Sequence, residues 1–256
     1  MPLLRAGAAH YLIDDSLMDV DVEALLRGWL GMAKRSGGRL LTRAGLESGE
    51  RRGGVWRLTT RAGACEAAVL VNAAGPWADE LARRCGVSPL GLVPKRRSMC
   101  IVPPPATVNF AAWPQIVALN DTFYAKPSGG KQVICPADAT ACEPHDAYAD
   151  DMALAEGIAA YCEAVDHEVV RIERSWGGLR TFATDGNPVV GFDPSADGFF
   201  WSAGLGGYGI QTSPALSALA ADLVLAKGAS PDLASALSPL RLARAGSLQT
   251  SNRHGP

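Results

Sequence analysis

The sequence predicts a mixed α/β fold in which two α/β segments enclose an antiparallel sheet. Residues 67–87 read AAVLVNAAGPWADELARRCGV, which is typical of a strand, a glycine turn and a helix. After Pro94 the pattern changes to short strand candidates punctuated by proline, and these favour antiparallel pairing. Near the end, four glycines separate the apolar run FFWSAG from an apolar helix. We therefore predict an α/β domain of residues 1–92 and 177–240, an antiparallel domain of residues 93–176, and a loose polar tail at 241–256.

The first predicted segment opens with a short strand, AAHYLI, at residues 8–13. The spacing of apolar residues then predicts a helix that begins after an N-cap at Asp19 or Asp21 and stops at Gly37. Three strands are expected next, in RLLTRAGL (39–46), VWRLTT (55–60) and CEAAVLVNAAG (65–75). The third is a continuous apolar run, so it is expected to form one strand buried on both faces.

The antiparallel segment contains four short strand candidates, then a helix and another strand. The strand candidates are VPKRRSMCIVPPP (93–105), WPQIVALN (113–120), DTFYAKP (121–127) and KQVICPA (131–137). The helix is expected in DDMALAEGIAAYCEAV (150–165), and the strand in EVVRIERSWGG (168–178).

The last part of the chain is expected to return to the α/β domain. GLRTFATDGNPVVGF (178–192) predicts a hairpin with Asp185-Gly186 as its turn, and a strand in FFWSAG (199–204) follows. The final helix is expected to open at Ser213-Pro214 and to stop at Gly228.

Composition narrows the possible function classes. The 24 Lys and Arg residues nearly balance 26 Asp and Glu residues, so no nucleic-acid surface is indicated. The six cysteines form no CxxC pair, which favours free buried thiols in a reducing compartment. The four histidines lack ligand spacing, so no metal site is expected. No apolar run approaches the ~20 residues of a transmembrane helix, and no secretory signal is evident, so we expect a cytoplasmic protein.

Several motifs, taken in order, resemble the D-amino-acid oxidase family of flavoproteins. AAVLVNAAGPWADELA resembles a strand of its dinucleotide-binding domain, and SWGGLRTFATDGNPVVGF with FFWSAGLGGYGIQTSPA resembles its C-terminal signature. PKRRS (94–98), WP (113–114), DTFYAKP and GGYGIQTS (206–213) are similar to bacterial D-arginine dehydrogenases within that family. The resemblance runs from Pro2 to Arg244. It implies an FAD-binding, Rossmann-like domain interrupted by a substrate domain, and oxidation of a D-amino acid to an imino acid by hydride transfer to FAD.

The resemblance also assigns cofactor-binding residues, because it places the flavin ring along the glycine loop. Glycine lets the backbone approach a flat ring, and the following helix N-terminus can stabilise negative charge on the reduced flavin. The loop and helix residues so assigned are Gly206, Gly207, Tyr208, Gly209, Ile210 and Gln211, and those at the adenine and diphosphate edge are Gly45, Ala74 and Gly75.

The substrate-binding residues implied by the resemblance are Arg97, Tyr124, Arg180 and Gly207. An arginine fork can form two parallel, charge-assisted hydrogen bonds to the carboxylate of an amino acid. Tyr124 is the expected hydroxyl donor to the same carboxylate, and the Gly207 carbonyl is the candidate acceptor for the substrate amine. Arg96 is the alternative to Arg97, since neighbouring strand residues point to opposite faces. No GxSxG, HExxH or Cys/His pair is evident, so no catalytic side chain is assigned.

One family motif is not found near the start of this sequence. Family members hold the FAD diphosphate with a strand, a GxGxxG turn and a helix. We therefore expect this chain by itself to hold FAD weakly and to be inactive. Two alternatives stay open: an oxidase of glycine, sarcosine or a similar amine, which Arg180 alone would serve, and a cofactor-free binding module. The preferred D-amino acid and the electron acceptor also stay open.

Overall fold

A computed structural model describes residues 4–5, 18–106 and 109–242. The fold is mixed α/β, as predicted, with five helices and eleven strands among the described residues. The helices are α1 Val22–Arg35, α2 Ala78–Arg84, α3 Asp151–Ala164, α4 Gly209–Val224 and α5 Pro231–Leu237. The strands are β1 Leu46–Arg52, β2 Val55–Thr60, β3 Gly63–Ala67, β4 Leu70–Asn72, β5 Val93–Val102, β6 Ile116–Val117, β7 Tyr124–Ser128, β8 Lys131–Cys135, β9 Arg174–Phe182, β10 Val189–Phe192 and β11 Phe199–Ala203. The strand predicted at 8–13 and the tail beyond residue 242 lie outside the described residues.

The described chain forms two compact units. The insert unit contains residues 4–5, 94–106 and 109–180, and the flanking unit contains residues 18–93 and 181–242. Residues 4–5 were expected in the α/β domain, but they belong to the insert unit. The Arg5 amide donates to the Ala164 carbonyl at 3.0 Å, and Leu4 bridges Val165.

The flanking unit contains two three-stranded sheets. The first has the order β1-β2-β3 and is antiparallel throughout. The second has the order β10-β11-β4, in which β11 pairs antiparallel with β10 and parallel with β4. Trp56 of the first sheet packs edge-on against Phe199 of the second, with ring centroids 5.7 Å apart. Aromatic burial therefore joins the two sheets of this unit into one core.

The apolar run at 65–75 was predicted as a single buried strand, and this prediction was wrong. The run is divided between β3, in the first sheet, and β4, in the second. Cys65 is exposed, and Val71 is 46% exposed on β4, an edge strand of its sheet. The hydrophobicity of a run does not reveal where the chain leaves one sheet and enters another, because the chain can turn between two apolar residues.

Three other element boundaries differ from the predictions. Residues 39–45 contain no strand, and β1 begins at Leu46. The strand expected from residue 168 begins only at Arg174. Helix α4 begins at Gly209 rather than at Ser213, so Pro214 lies inside its second turn. The carbonyl of Ile210, which Pro214 cannot serve because it lacks an N–H, accepts a hydrogen bond from Ser213 Oγ at 2.8 Å.

Helix α1 follows the predicted pattern. Asp21 is its N-cap, and the Asp21 carboxylate accepts a hydrogen bond from the Ala24 amide at 2.9 Å. Gly37 lies beyond the C-terminus with φ of 87°, a left-handed conformation that favours glycine.

The insert unit is built on a five-stranded sheet with the order β6-β7-β8-β5-β9. The pairs β5–β8, β7–β8 and β6–β7 are antiparallel. One face of the sheet packs against α3, where Cys100 and Ile134 contact the cluster that contains Leu154 and Tyr161. Side chains alternate along each strand, so neighbouring residues such as Arg97, Met99 and Cys135 belong to the opposite face.

The described helices include none that is long and apolar enough to cross a membrane. Among the described residues, no group of three or more His, Cys, Asp or Glu side chains is placed to hold a metal ion.

Candidate active site

Two loops of the flanking unit lie at the same edge of one sheet. Strands β4 and β11 are parallel neighbours, with Asn72 aligned to Trp201. The segment Ala73–Gly75 follows β4, and the glycine loop, residues 204–209, follows β11. The carboxyl ends of parallel strands meet at one edge, which is where open α/β sheets bind ligands.

The glycine loop has a defined backbone conformation. Gly204 and Gly206 have φ values of 66° and 56°, which residues with a Cβ rarely adopt. The Gly206 amide donates to the Thr181 carbonyl at 2.8 Å, and Leu205 forms a bridge with Phe182. A Cβ on Gly206 would lie 3.1 Å from the Phe182 ring. Glycine is thus favoured at position 206 by its φ, and a Cβ there would also require the Phe182 ring to shift.

The loop leads directly into the N-terminus of α4. Tyr208 is the N-cap residue, and no side chain caps the helix. Gly207, Tyr208, Ile210 and Gln211 are all exposed. The amides of the first helical turn have no acceptor within their own helix, so an exposed and uncapped N-terminus suits an electron-rich ligand.

Residues 204–209 read GLGGYG, which also fits the G-x-G-x-x-G spacing. This pattern was not assigned to residues 204–209 from the sequence. It follows strand β11 and opens helix α4, which is the structural setting that gives the motif its meaning.

The segment after β4 is held by a buried side chain. Asn72 is fully buried; its Nδ2 donates to the Ala78 carbonyl at 2.8 Å, and its Oδ1 accepts from the Ala74 amide at 3.3 Å. Gly75 has φ of 55°. Gly45, assigned to the same cofactor edge, precedes β1 in the other sheet, and its carbonyl accepts from the Arg61 amide at 3.1 Å. Ala74 and Gly75 therefore share a sheet edge with the glycine loop, whereas Gly45 does not belong to that sheet.

The residues assigned to the substrate carboxylate cluster within the insert unit. Arg97 lies on β5, Tyr124 on β7 and Arg180 on β9. The Arg97 guanidinium carbon lies 5.9 Å from the centre of the Tyr124 ring. Arg97 Nη1 contacts the Cys135 sulfur at 3.5 Å, and Tyr124 is aligned with Cys135 across β7 and β8. The sheet therefore gathers two guanidinium groups and a hydroxyl on the face opposite α3.

The ionisation of this cluster is set by burial and mutual charge. Burial, followed by the positive charge of Arg97, lowers the pKa of Arg180. Burial and a hydrogen bond with Cys135 raise the pKa of the Tyr124 hydroxyl, although both arginines oppose this shift. Tyr124 thus keeps its proton at neutral pH and can act as a donor; in this structure the hydroxyl lies 3.3 Å from Met99 Sδ.

Arg96, the alternative to Arg97, is engaged elsewhere. Its Nη2 lies 2.8 Å from the Asp150 carboxylate, and its Nε lies 3.9 Å from that of Asp138. Among the described residues Arg96 forms two ion pairs and Arg97 forms none, whereas the buried Nε atoms of both arginines have no hydrogen-bond partner there. An unpaired buried N–H is costly, so a bound anion at Arg97 would remove that cost.

Two members of this cluster were missed in the sequence. Cys135 contacts Arg97, and the Asp138 carbonyl accepts from Arg180 Nη2 at 3.1 Å. Both follow from the alternation of β8 and the turn after it, but the residues they contact are 38 and 42 positions away. The sheet order β8-β5-β9 brings these residues together.

Comparison with known proteins decides the family. The sequence model described as FAD dependent oxidoreductase matches residues 2–223. The chain belongs to this family. Members of the family use FAD, and the exposed helix N-terminus beside the glycine loop suits the negative charge that a flavin ring gains on reduction.

Among curated relatives, the glycine oxidase of Geobacillus kaustophilus is 31% identical over 182 residues, which cover 69% of this chain and 46% of that protein. FAD-dependent oxidoreductase domain-containing protein 1 of Xenopus laevis is 25% identical over 185 residues, which cover 64% and 36%. The chain thus spans less than half the length of these two relatives.

Solved structures share the fold. The glycine oxidase from Geobacillus kaustophilus superposes with a TM-score of 0.67 at 29% identity, covering 80% of this chain and 54% of that one. An L-proline dehydrogenase from P. horikoshii gives a TM-score of 0.78 at 19% identity, covering 88% and 61%. At that identity, the second likeness concerns the fold alone.

Proposed function

We propose that this chain provides the carboxylate-binding and flavin-contacting parts of an oxidoreductase that converts an amino acid or a related amine to an imine. The observation that carries the proposal is the cluster of Arg97, Tyr124 and Arg180 on the face of the insert sheet opposite α3. Two guanidinium groups placed near each other repel, and an anionic ligand between them offsets that repulsion.

In the proposed reaction, this chain binds and orients the substrate. Arg180 and Arg97 donate to the carboxylate, and Tyr124 adds a hydroxyl donor. On the family resemblance alone, we retain the Gly207 carbonyl as the acceptor proposed for the substrate amine. FAD, when bound, supplies the two-electron acceptor that takes the hydride from Cα. The exposed amides of Ile210 and Gln211 would stabilise negative charge at the pyrimidine end of the ring.

Orientation is the main demand of this chemistry, because the cofactor carries the difficult step. Water then hydrolyses the imino acid product to a keto acid and ammonia. Such a reaction needs no side-chain nucleophile, and Arg97, Tyr124 and Arg180 supply only hydrogen-bond donors.

Two substrate classes compete within the family. Similarity to two glycine oxidases favours a small substrate such as glycine or sarcosine. The pairing of Arg97 with Tyr124 favours a D-amino acid, as does the resemblance to D-arginine dehydrogenases. A cofactor-free binding module is the remaining possibility.

Because the chain by itself is expected to hold FAD weakly, the proposal is tested with saturating FAD added to the 256-residue chain. FAD binding is measured by flavin fluorescence, and turnover is measured as dye reduction with glycine, sarcosine, D-arginine and L-arginine. Arg180→Lys is expected to raise KM for the accepted substrate about tenfold or more, because a point charge replaces a two-pronged donor. Arg174→Lys, at the exposed start of the same strand, is the control and should leave KM unchanged.

The substrate panel separates the classes, since turnover of glycine and sarcosine without D-arginine would favour the glycine-oxidase type. An unchanged KM in Arg180→Lys would remove the carboxylate role of that residue. Carboxylate binding together with no detectable binding of FAD would favour a cofactor-free binding module.

A further inference from the structure

The turn that follows β8 contacts both arginines of the cluster. Cys135, the last residue of β8, places its sulfur 3.5 Å from Arg97 Nη1. Three residues later, the Asp138 carbonyl accepts a hydrogen bond from Arg180 Nη2 at 3.1 Å. The two contacts come from one short segment, so its conformation affects the spacing between the two guanidinium groups.

The Asp138 side chain anchors this turn to β5. Its carboxylate is only 8% exposed and accepts hydrogen bonds from the Ser98 amide at 2.7 Å and from Ser98 Oγ at 3.0 Å. Ser98 is fully buried and directly follows Arg97 in sequence. The same carboxylate therefore fixes the strand that carries Arg97, while the Asp138 main chain holds Arg180.

Other contacts leave the turn little freedom. Ala137 has φ of 54°, an uncommon conformation for a residue with a Cβ. Pro136 packs so closely on α3 that a Cβ at Gly157 would collide with it. On the far side of the turn, the Arg96 amide donates to the Thr140 carbonyl at 2.8 Å. A strained turn that is held on several sides keeps a fixed geometry.

The charge of Asp138 also acts on the cluster. Its negative charge raises the pKa of Arg180, opposing the effects of burial and of Arg97. It lies 3.9 Å from Arg96 Nε and thus balances part of the positive charge on β5. The Asp138 carboxylate is engaged by Ser98 and Arg96 rather than by Arg97.

We propose that Asp138 is a positioning residue, which sets the spacing of Arg97 and Arg180 for a substrate carboxylate through the turn at residues 135–138. This inference rests on the proposed function, because it presumes that the two arginines bind a carboxylate.

The test measures binding of benzoate, with benzamide as the neutral isostere, by titration calorimetry of the whole chain. Asp138→Ala is expected to weaken benzoate binding about tenfold and to leave benzamide binding unchanged. Asp138→Asn, which keeps hydrogen-bonding atoms, should have a smaller effect. Asp151→Asn, at the exposed start of α3, is the control. A merely structural role would lower the melting temperature without changing the preference for benzoate over benzamide.

A double variant then shows whether Asp138 and Arg180 affect benzoate binding through the same contact. Combined with Arg180→Lys, Asp138→Ala should cost less than the sum of the separate losses, because both act on the same contact. If Asp138→Ala does not fold, Ser98→Ala decides. It removes the Oγ donor to Asp138 and the acceptor of the Asp150 amide, and it keeps the contact of the Ser98 amide with Asp138.

The outcomes distinguish the two claims. If Arg180→Lys weakens benzoate binding while the Asp138 and Ser98 variants leave it unchanged, the positioning role is overturned and the proposed function stands. If the chain binds no benzoate, or if Arg180→Lys has no effect on its binding, the proposed function fails and this inference fails with it.

Discussion

A single carboxylate holds a loop of the flanking unit. Asp79, in the first turn of α2, is 9% exposed and accepts hydrogen bonds from three successive amides, those of Leu90, Gly91 and Leu92, at 2.9–3.0 Å. Leu92 then packs into the core with Trp201 and Val189. The carboxylate thus couples helix α2 to the segment that enters β5.

Replacing Asp79 by Ala should lower the free energy of unfolding by about 2–3 kcal/mol, because a charged acceptor is lost and buried N–H groups are left without partners. Asp79→Asn should cost less, since its carbonyl can still accept. Urea denaturation at pH 7 measures both. Glu80→Gln, at the half-exposed pair with Arg84, is the matched control and should change stability by less than about 1 kcal/mol. Equal effects at positions 79 and 80 would contradict this account.

The connection between β9 and β10 is an element held by a distant residue. Arg241 donates to both oxygens of Asp185, at 2.7 and 3.1 Å, and to the Asn187 carbonyl at 2.8 Å. Hydrogen bonds and charge from Arg241 lower the pKa of Asp185 to about 2. Since the folded-state pKa is depressed, this pair stabilises the fold above the ordinary carboxyl pKa and loses that effect as pH falls.

The free energy of unfolding should therefore decrease between pH 4 and about pH 2 as Asp185 takes up a proton. Asp185→Asn and Arg241→Gln should each lower stability at pH 7 and flatten that part of the pH profile. Thermal unfolding followed by circular dichroism at a series of pH values gives the comparison. A wild-type slope retained in Asp185→Asn would show that other groups cause the acid sensitivity.

Local patterns predicted the β9–β10 connection only in part. Asp185-Gly186 does turn, with φ of 77° at Gly186, but it is not a hairpin, because β10 pairs with β11 instead of β9. The ion pair with Arg241 spans 56 positions, so no local pattern contains it. In contrast, α3 and the strands β5, β7 and β8 follow from short-range periodicity, which the sequence shows directly.

The candidate site shows the same division. Arg97, Tyr124 and Arg180 were assigned because their motifs resemble a known family, and the structure groups them on one sheet face. Cys135 and Asp138 carry no motif and become visible only through the pairing of β5 and β8. Whether the residues assigned to the carboxylate bind one remains a prediction.

At the scale of the whole molecule, each unit has its own hydrophobic core. Phe123, Ile134 and Tyr161 belong to the core of the insert unit, and Trp56 and Trp201 belong to one core of the flanking unit. The flanking unit also carries the loops assigned to FAD. The affinity of the chain for a flavin should therefore depend on the contacts that those loops make with the ring and on the hydrogen-bond donors that they present to the phosphates.

The glycine loop is expected to contact the flavin ring and to leave the diphosphate of FAD largely without donors. Riboflavin, FMN and FAD should then bind the 256-residue chain weakly and with Kd values within about tenfold of one another, because each further tenfold requires about 1.4 kcal/mol of phosphate-specific contact. Quenching of flavin fluorescence measures the Kd of each of the three flavins.

Gly206→Ala should weaken the binding of riboflavin, FMN and FAD equally, since the φ of residue 206 is 56° and the new Cβ would lie 3.1 Å from the Phe182 ring. Gly228→Ala, with φ of 80° and nothing within 4 Å of its Cβ, carries similar backbone strain away from the loop and should leave flavin binding intact. If FAD bound about a hundredfold more tightly than riboflavin, the amides of residues 204–209 would instead hold the diphosphate, as their G-x-G-x-x-G spacing allows.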